Sequence, residues 1–203
     1  MTSIRMFKFH IFILTFLILL SSKAFSSDKF SDFVAVISNE AKNKGVSLKV
    51  INDFKSKVIF IPRVIELDRS QPEFKLTLKQ YLSKVVTSSR IKKANIKYKN
   101  NKKILHIISK HYGVQPRFLV SLWGIETDFG RLTGGFSVVS ALSTLAFEGR
   151  RHEYFKNELF NALKIIDDGH ITLSEMTGSW AGAMGQCQFM PSSFINYAND
   201  WDK

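Results

Sequence analysis

The sequence predicts a mainly α-helical domain, and three observations carry that prediction. Apolar residues return every three or four positions in one segment after another. Ser, Thr or Pro stands where most of these segments begin, and Gly where several of them end. No segment shows the sustained apolar–polar alternation of a half-buried strand, and there is no internal repeat, heptad array or low-complexity tract.

The first helix is expected over "SDFVAVISNEAKNKG", with Ser31 as N-cap and Gly45 just past the end. "SLKVINDFKSKV" reads as a second helix capped by Ser47. "IFIPRVIELDRSQPEF" contains Pro62 and Pro72 and is expected to be extended or irregular, because proline removes a donor and restricts the residue before it. "TLKQYLSKVV" is a helix capped by Thr77. "SSRIKKANIKYKNNKKILHIISKHYG" is a long basic helical stretch with a break near Asn100 and a stop at Gly113. In "PRFLVSLWGIETDFG", Pro116 suits the first turn and Gly130 lies past the end. "SVVSALSTLAF" and "RRHEYFKNELFNALKII" are two further amphipathic helices. "GSWAGAMGQCQFMPSSFINYA" differs: Gly178, Gly182 and Gly185 stand among apolar and amide residues, and a short helix starts near Pro191.

The first 26 residues are set apart from this domain. Arg5 and Lys8 precede an apolar run from Ile11 to Leu20, and Ala24 and Ser26 supply a small-x-small site. That order predicts a secretory signal peptide cleaved after Ser26, leaving residues 27–203 as the domain. An uncleaved anchor is the alternative, but the run is short for a span of about 20 residues. No cysteine is available there for lipid attachment, so no stable membrane anchor is expected, and the protein is placed in the periplasm.

The chain carries 29 Lys and Arg against 17 Asp and Glu, a formal charge of +12. Arg5, Lys8 and Lys23 account for three of these, leaving +9 after cleavage. A basic exported protein suits an anionic partner such as an envelope polymer or a lipid headgroup, not nucleic acid. A solvated lysine-rich surface over Lys92–Lys103 explains the same charge. Cys187 is the only cysteine, so no intramolecular disulfide forms, and it is expected to be a small packed hydrophobe. His106 and His111 are five apart with no carboxylate between them, which is not a helical zinc pair, and no phosphate-loop pattern follows the glycines.

One residue interrupts this bland picture. In "LVSLWGIETDFG", Leu119, Leu122, Trp123 and Glu126 fall on one helical face at offsets 0, 3, 4 and 7. A carboxyl group on a buried apolar face loses hydration, which favours its protonated form and suits it to protonating a leaving oxygen. Asp128 lies about 200° further round the helix and is expected to cap, pair or meet solvent, so no second carboxylate is legible. A buried glutamate bonded to backbone or to Arg131 is the competing reading.

"PRFLVSLWGIETDFGRLTGGFSVVSALSTLAFEGRRHEYFKNEL" and "GSWAGAMGQCQFMPSSFINYA" closely resemble the lytic murein transglycosylase B family, glycoside hydrolase family 103, and "FIPRVIELDRSQPEF" is similar to its N-terminal region. The resemblance implies a lysozyme-like, mainly helical catalytic domain acting on peptidoglycan glycan strands. It implies cleavage of the MurNAc–GlcNAc β-1,4 bond with formation of a 1,6-anhydro-MurNAc end. The family's single glutamate corresponds to Glu126, acting first as acid and then as base toward the muramyl 6-hydroxyl. Its substrate-contacting residues correspond to Ser179, Gln188, Phe189, Met190 and Tyr154, and Arg151 is a partner for a stem-peptide carboxylate. Core packing is the alternative for Phe189 and Met190, and a solvated helix start near Glu153 for Arg150 and Arg151. No cofactor is implied. Members of the family continue past the point where "NYANDWDK" stops, some with a calcium-binding loop of which Asp200 and Asp202 resemble the beginning. The domain is therefore expected to be incomplete at its C-terminal end and to bind no metal. A hydrolytic muramidase, or a remnant that binds glycan without cutting it, stays open as the alternative.

Overall fold

The computed structural model describes residues 29–70 and 76–201. Ten α-helices run through them: α1 (29–43), α2 (Leu48–Lys57), α3 (Pro62–Ser70), α4 (Leu78–Val85), α5 (Ser88–Asn100), α6 (Lys102–Tyr112), α7 (Pro116–Thr127), α8 (Val138–Glu148), α9 (His152–Asp167) and α10 (Pro191–Tyr197). Two short strands, β1 (Phe136–Ser137) and β2 (Thr177–Gly178), pair antiparallel with Phe136 opposite Gly178 and Ser137 opposite Thr177. The mainly α class expected from the periodicity is the class observed. The leader, residues 1–26, lies outside the described residues.

α8 is the axis of the main core. Every residue from Val138 to Ala146 is buried, and α9 lies along it through Phe155, Leu159, Leu163 and Ile166. α1, α2 and α3 close the other side with Ile37, Phe54 and Val64. The hydroxyls of α8 are used to seat irregular backbone: Ser140 Oγ accepts from the Ile59 amide at 3.2 Å and Thr144 Oγ1 from the Ile61 amide at 3.0 Å. That backbone would otherwise reach the core with unpaired donors.

The capping signals hold where they are local. Ser47 Oγ accepts from the Val50 amide, and Thr77 forms a reciprocal capping box with Gln80. The basic stretch breaks at Asn101, and α6 ends on Gly113 in the left-handed region. Two expectations fail. α1 is already helical at residue 29, so Ser31 is not its cap. The stretch around Pro62 is not irregular; Pro62 opens α3. A proline at the first helical position gives up only an amide that a helix leaves unpaired anyway, and burial of Val64 rewards the turn. Pro72 lies outside the described residues.

A second, smaller cluster joins α5, α6 and α7. Leu105, Val120 and Phe129 are buried in it, with Ala94, Tyr98, Leu119 and Trp123 packed around them. His106 does an ordinary structural task there, its Nε2 lying 3.0 Å from the Tyr98 hydroxyl.

Candidate functional site

Glu126 sits in the last turn of α7 and is exposed, as are its neighbours Leu122 and Ile125. This corrects the expectation of a buried face. The face that α7 buries is Val120, Gly124 and Thr127, one step round the helix from the predicted one. The reason is Phe129. Its ring lies over Gly124, where an added Cβ would come within 2.7 Å of Phe129 Cζ, and meets Trp123 edge-on at 5.5 Å. Glu126 makes no hydrogen bond or ion pair with any described residue.

The chain leaves α7 through three successive left-handed residues, Asp128, Phe129 and Gly130, with φ of 49°, 64° and 83°. Such a run is costly for side-chain-bearing residues and persists only when its surroundings hold it. Here the Asp128 carboxylate is buried and accepts from Lys93 Nζ and from Arg131 Nε, both at 2.7 Å. The hydrogen bond from Lys93, then that from Arg131, hold its carboxyl at about 2, below the usual range. Asp128 thus pairs, as one of its expected roles, but it does not face solvent. Arg131 is committed to Asp128, not to Glu126.

The glycine-rich segment is hooked onto this helix end. Trp123 Nε1 donates to Gln186 Oε1 at 2.7 Å, and Thr127 Oγ1 donates to the Gln186 carbonyl at 2.9 Å. Gln188 Nε2 reaches back to the carbonyls of Thr133 at 3.1 Å and Gly185 at 3.0 Å. Ser179 closes the turn: its amide donates to the Ala183 carbonyl and its hydroxyl accepts from the Ala183 amide. The loop lies tight on the core, since a Cβ on Gly182 would stand 2.5 Å from Leu142 Cδ2. Glu126, Ser179 and Gln188 are therefore carried by two segments bound to each other. Phe189 lines an apolar groove of about 690 Å³ with Tyr112, Leu119, Tyr197 and Trp201, whereas Met190 packs against the main core. Cys187 is exposed at the edge of that groove, against the expectation that it is packed, because the loop's inward positions are taken by Gly182 and Met184.

Tyr154 and Arg151 stand at the start of α9. Tyr154 is exposed with its ring edge-on to Phe155 at 5.1 Å. Arg151 already has a carboxylate partner within the fold. Its guanidinium donates to Asp68 Oδ1 at 2.5 Å, and Arg150 donates to Asp68 Oδ2 through Nε at 3.0 Å and also through a terminal nitrogen. Both arginines stay about half exposed at the helix start, but their carboxylate partner is Asp68 and not Glu153. Burial pushes the Asp68 carboxyl up, and the hydrogen bonds from Arg150 and Arg151 outweigh it, leaving it below its ordinary value. Glu158, also buried, accepts from the Ser192 amide at 2.8 Å and hydroxyl at 2.5 Å, joining α9 to the start of α10.

Sequence reasoning missed Gln186, Lys93, Asp68 and Glu158. The adjacent Arg150 and Arg151 were the one signal for a buried carboxylate partner. Among the described residues no cluster of three or more His, Cys, Asp or Glu side chains is placed to hold a metal ion.

A family model described as Transglycosylase SLT domain matches residues 29–203. The chain belongs to that family. Among curated relatives of this SLT-domain chain, the membrane-bound lytic murein transglycosylase B of Escherichia coli (strain K12) is 37% identical over 123 residues, covering 60% of this chain and 34% of that protein. SltB3 from Pseudomonas aeruginosa, solved in complex with NAG-NAM-pentapeptide, superposes with a TM-score of 0.82 at 35% identity, covering 86% of this chain and 46% of that one. The Escherichia coli lytic transglycosylase Slt35 in complex with bulgecin A gives 0.74 at 28% identity, covering 83% and 55%. The fold is that of these lytic transglycosylases, and the chain spans about half or less of the length of the relatives it matches.

Proposed function

We propose that the protein is a peptidoglycan lytic transglycosylase, exported by a cleaved leader and acting in the periplasm. It cleaves the MurNAc–GlcNAc β-1,4 bond and leaves a 1,6-anhydro-MurNAc end. Membership of the SLT-domain family supports the reading, and so does the likeness to SltB3, which was solved with peptidoglycan fragments. The observation that carries it is the contrast between the two carboxylates at the end of α7. Asp128 is buried and held as an anion by Lys93 and Arg131; Glu126 is open and has no partner among the described residues. One carboxyl group is thus available for proton transfer, and its neighbour is not.

A one-carboxylate site suits a reaction whose nucleophile belongs to the substrate. Glu126 protonates the glycosidic oxygen and then takes the proton of the muramyl 6-hydroxyl as that oxygen attacks C1 of the same sugar. The intramolecular hydroxyl holds an advantage of effective molarity over water. Two-carboxylate hydrolysis asks for a second group with room for water or for covalent attack. Asp128, locked in two ion pairs, does not offer it. Because Glu126 is exposed in the free chain, the dry environment that favours proton donation has to come from the strand lying over it. Ser179 and Gln188 border the approach from the glycine-rich segment, and Phe189 and Tyr154 offer apolar faces to sugar rings.

Mass spectrometry of muropeptides released from sacculi tests this. Anhydro-muropeptides are expected from the wild type and not from Glu126→Gln, whose amide keeps the shape and loses the proton. Acid–base catalysis is worth about 10²–10⁴-fold, so activity of Glu126→Gln within about tenfold of wild type would exclude the assignment. Reducing-end products would indicate hydrolysis instead. Strand binding without products would indicate a glycan-binding chain.

A further inference from the structure

Glu158 is a buried carboxylate that the proposed chemistry does not use. It is 4% exposed, its α9 neighbours Phe155 and Leu159 belong to the main core, and no Lys, Arg or His pairs with it among the described residues. A carboxylate in such a place costs free energy unless donors meet its oxygens. Both oxygens are met by one residue: Oε2 accepts from the Ser192 amide at 2.8 Å and Oε1 from the Ser192 hydroxyl at 2.5 Å. Ser192 stands in the first turn of α10. The N-cap of that helix, Met190, supplies no side-chain acceptor, and Pro191 opens it without an amide. Glu158 therefore caps α10 from a different helix, 34 residues away in sequence. The segment so anchored begins at Gln186, which takes the Trp123 indole and the Thr127 hydroxyl of α7. Between the two anchors stand Gln188, left-handed at φ 49°, and Phe189, joined to Met184 by amide–carbonyl bonds of 2.9 and 3.1 Å. A left-handed glutamine persists only where its surroundings hold it. Tyr154 lies one turn before Glu158 on the same face of α9. Burial, and then the Glu158 charge, raise its hydroxyl above the ordinary value, so it stays protonated.

We propose that Glu158 is a positioning residue for the glycan strand: by fixing Ser192 it sets the segment that carries Gln188 and Phe189 against the helix that carries Tyr154. Met190 and Phe194 also pack on the main core, but apolar burial has no direction and tolerates a slide of one element along another. Two charge-assisted hydrogen bonds to one serine do not. A leucine at 158 would fill similar volume without burying a charge, so the carboxylate contributes geometry more than stability. This role rests on the reading of Gln188, Phe189 and Tyr154 as strand-binding residues, and it leaves proton transfer to Glu126.

The test measures strand binding and turnover separately, on the full chain, with uncrosslinked peptidoglycan glycan strands as the probe. In a Glu126→Gln background, Glu158→Leu should weaken strand binding about tenfold, because the segment is then free to shift. Ser192→Ala, which keeps the amide donor and loses the hydroxyl, should weaken it by about threefold. Glu158→Gln keeps an acceptor for the Ser192 amide and should restore binding to within about threefold of the parent. With Glu126 intact, Glu158→Leu should raise KM about tenfold and leave both kcat and the acid limb of its pH profile in place, the signature of lost binding and not of lost chemistry. A merely structural role would lower kcat through the unfolded fraction at constant KM, and that result would overturn the proposal. Should Glu158→Leu lose its helical circular dichroism, Ser192→Ala decides: weakened binding upholds the anchor and unchanged binding overturns it. Binding that weakens in Glu158→Leu while no variant, nor the wild type, releases anhydro-muropeptides would uphold the anchor and refute the transglycosylase reading instead.

Discussion

Replacing Asp68 by asparagine should destabilise the protein at neutral pH and should cease to matter in acid. The Asp68 side chain is 3% exposed and takes the guanidinium groups of Arg150 and Arg151, which lie 82 and 83 residues away in sequence. It is the polar pin between α3 and the start of α9. Removing one partner of a buried ion pair costs about 3–5 kcal/mol when the remaining charge stays buried. The arginine side chains are 50% and 41% exposed and can rehydrate, so the cost is set lower, at about 2 kcal/mol. For a domain of this size that is a fall in Tm of roughly 4–8 °C. The folded carboxyl lies below its ordinary value, so its contribution is complete above the unfolded pKa of about 3.9 and is lost as pH falls through the folded value. Thermal melts followed by circular dichroism, for wild type and Asp68→Asn from neutral pH down into strong acid, should therefore converge at the acid end. A Tm within about 1 °C of wild type at neutral pH, or a gap that persists once the wild-type Asp68 is protonated in both the folded and the unfolded state, would refute the pin.

The remaining predictions concern the helix end and the loop hooked to it. Gln186→Ala removes the acceptor of the Trp123 indole and should lower anhydro-muropeptide release while α-helical circular dichroism is retained; release equal to wild type would show that the hook does not position Glu126 or Gln188. Asp128→Asn should shift the urea midpoint at neutral pH but not below about pH 2, because the contribution of a carboxyl held at about 2 is present above the unfolded value and fades between the two; a constant difference in midpoint would contradict the Lys93 and Arg131 pairing. Cys187 is exposed and should be modified by a thiol reagent in the native protein at a rate close to that in urea; strong native protection would show that it is packed after all.

Much of the fold is legible because its signals are local. Ser47 and Thr77 as caps, Pro116 opening α7, Asn101 breaking the basic stretch and Gly113 ending it all act within one turn of their own position. Pro62 shows where local reading fails: the same residue can end an extended segment or open a helix, and only the buried place waiting for Val64 decides between them. The lone glutamate of "GIET" and the glycine-rich block mark the candidate site in the sequence, but not its environment. A helical wheel offers two neighbouring faces, one through Leu119, Leu122, Trp123 and Glu126 and one through Val120, Gly124 and Thr127. Periodicity cannot choose between faces one step apart. The ring of Phe129 chooses, because Gly124 leaves room for it, and Glu126 is turned out to solvent in consequence. Which carboxylates are spent and which is free is likewise a matter of partners far along the chain. Lys93 is 35 residues from Asp128, and Asp68 more than 80 from its arginines, and only packing brings such charges within hydrogen-bond reach.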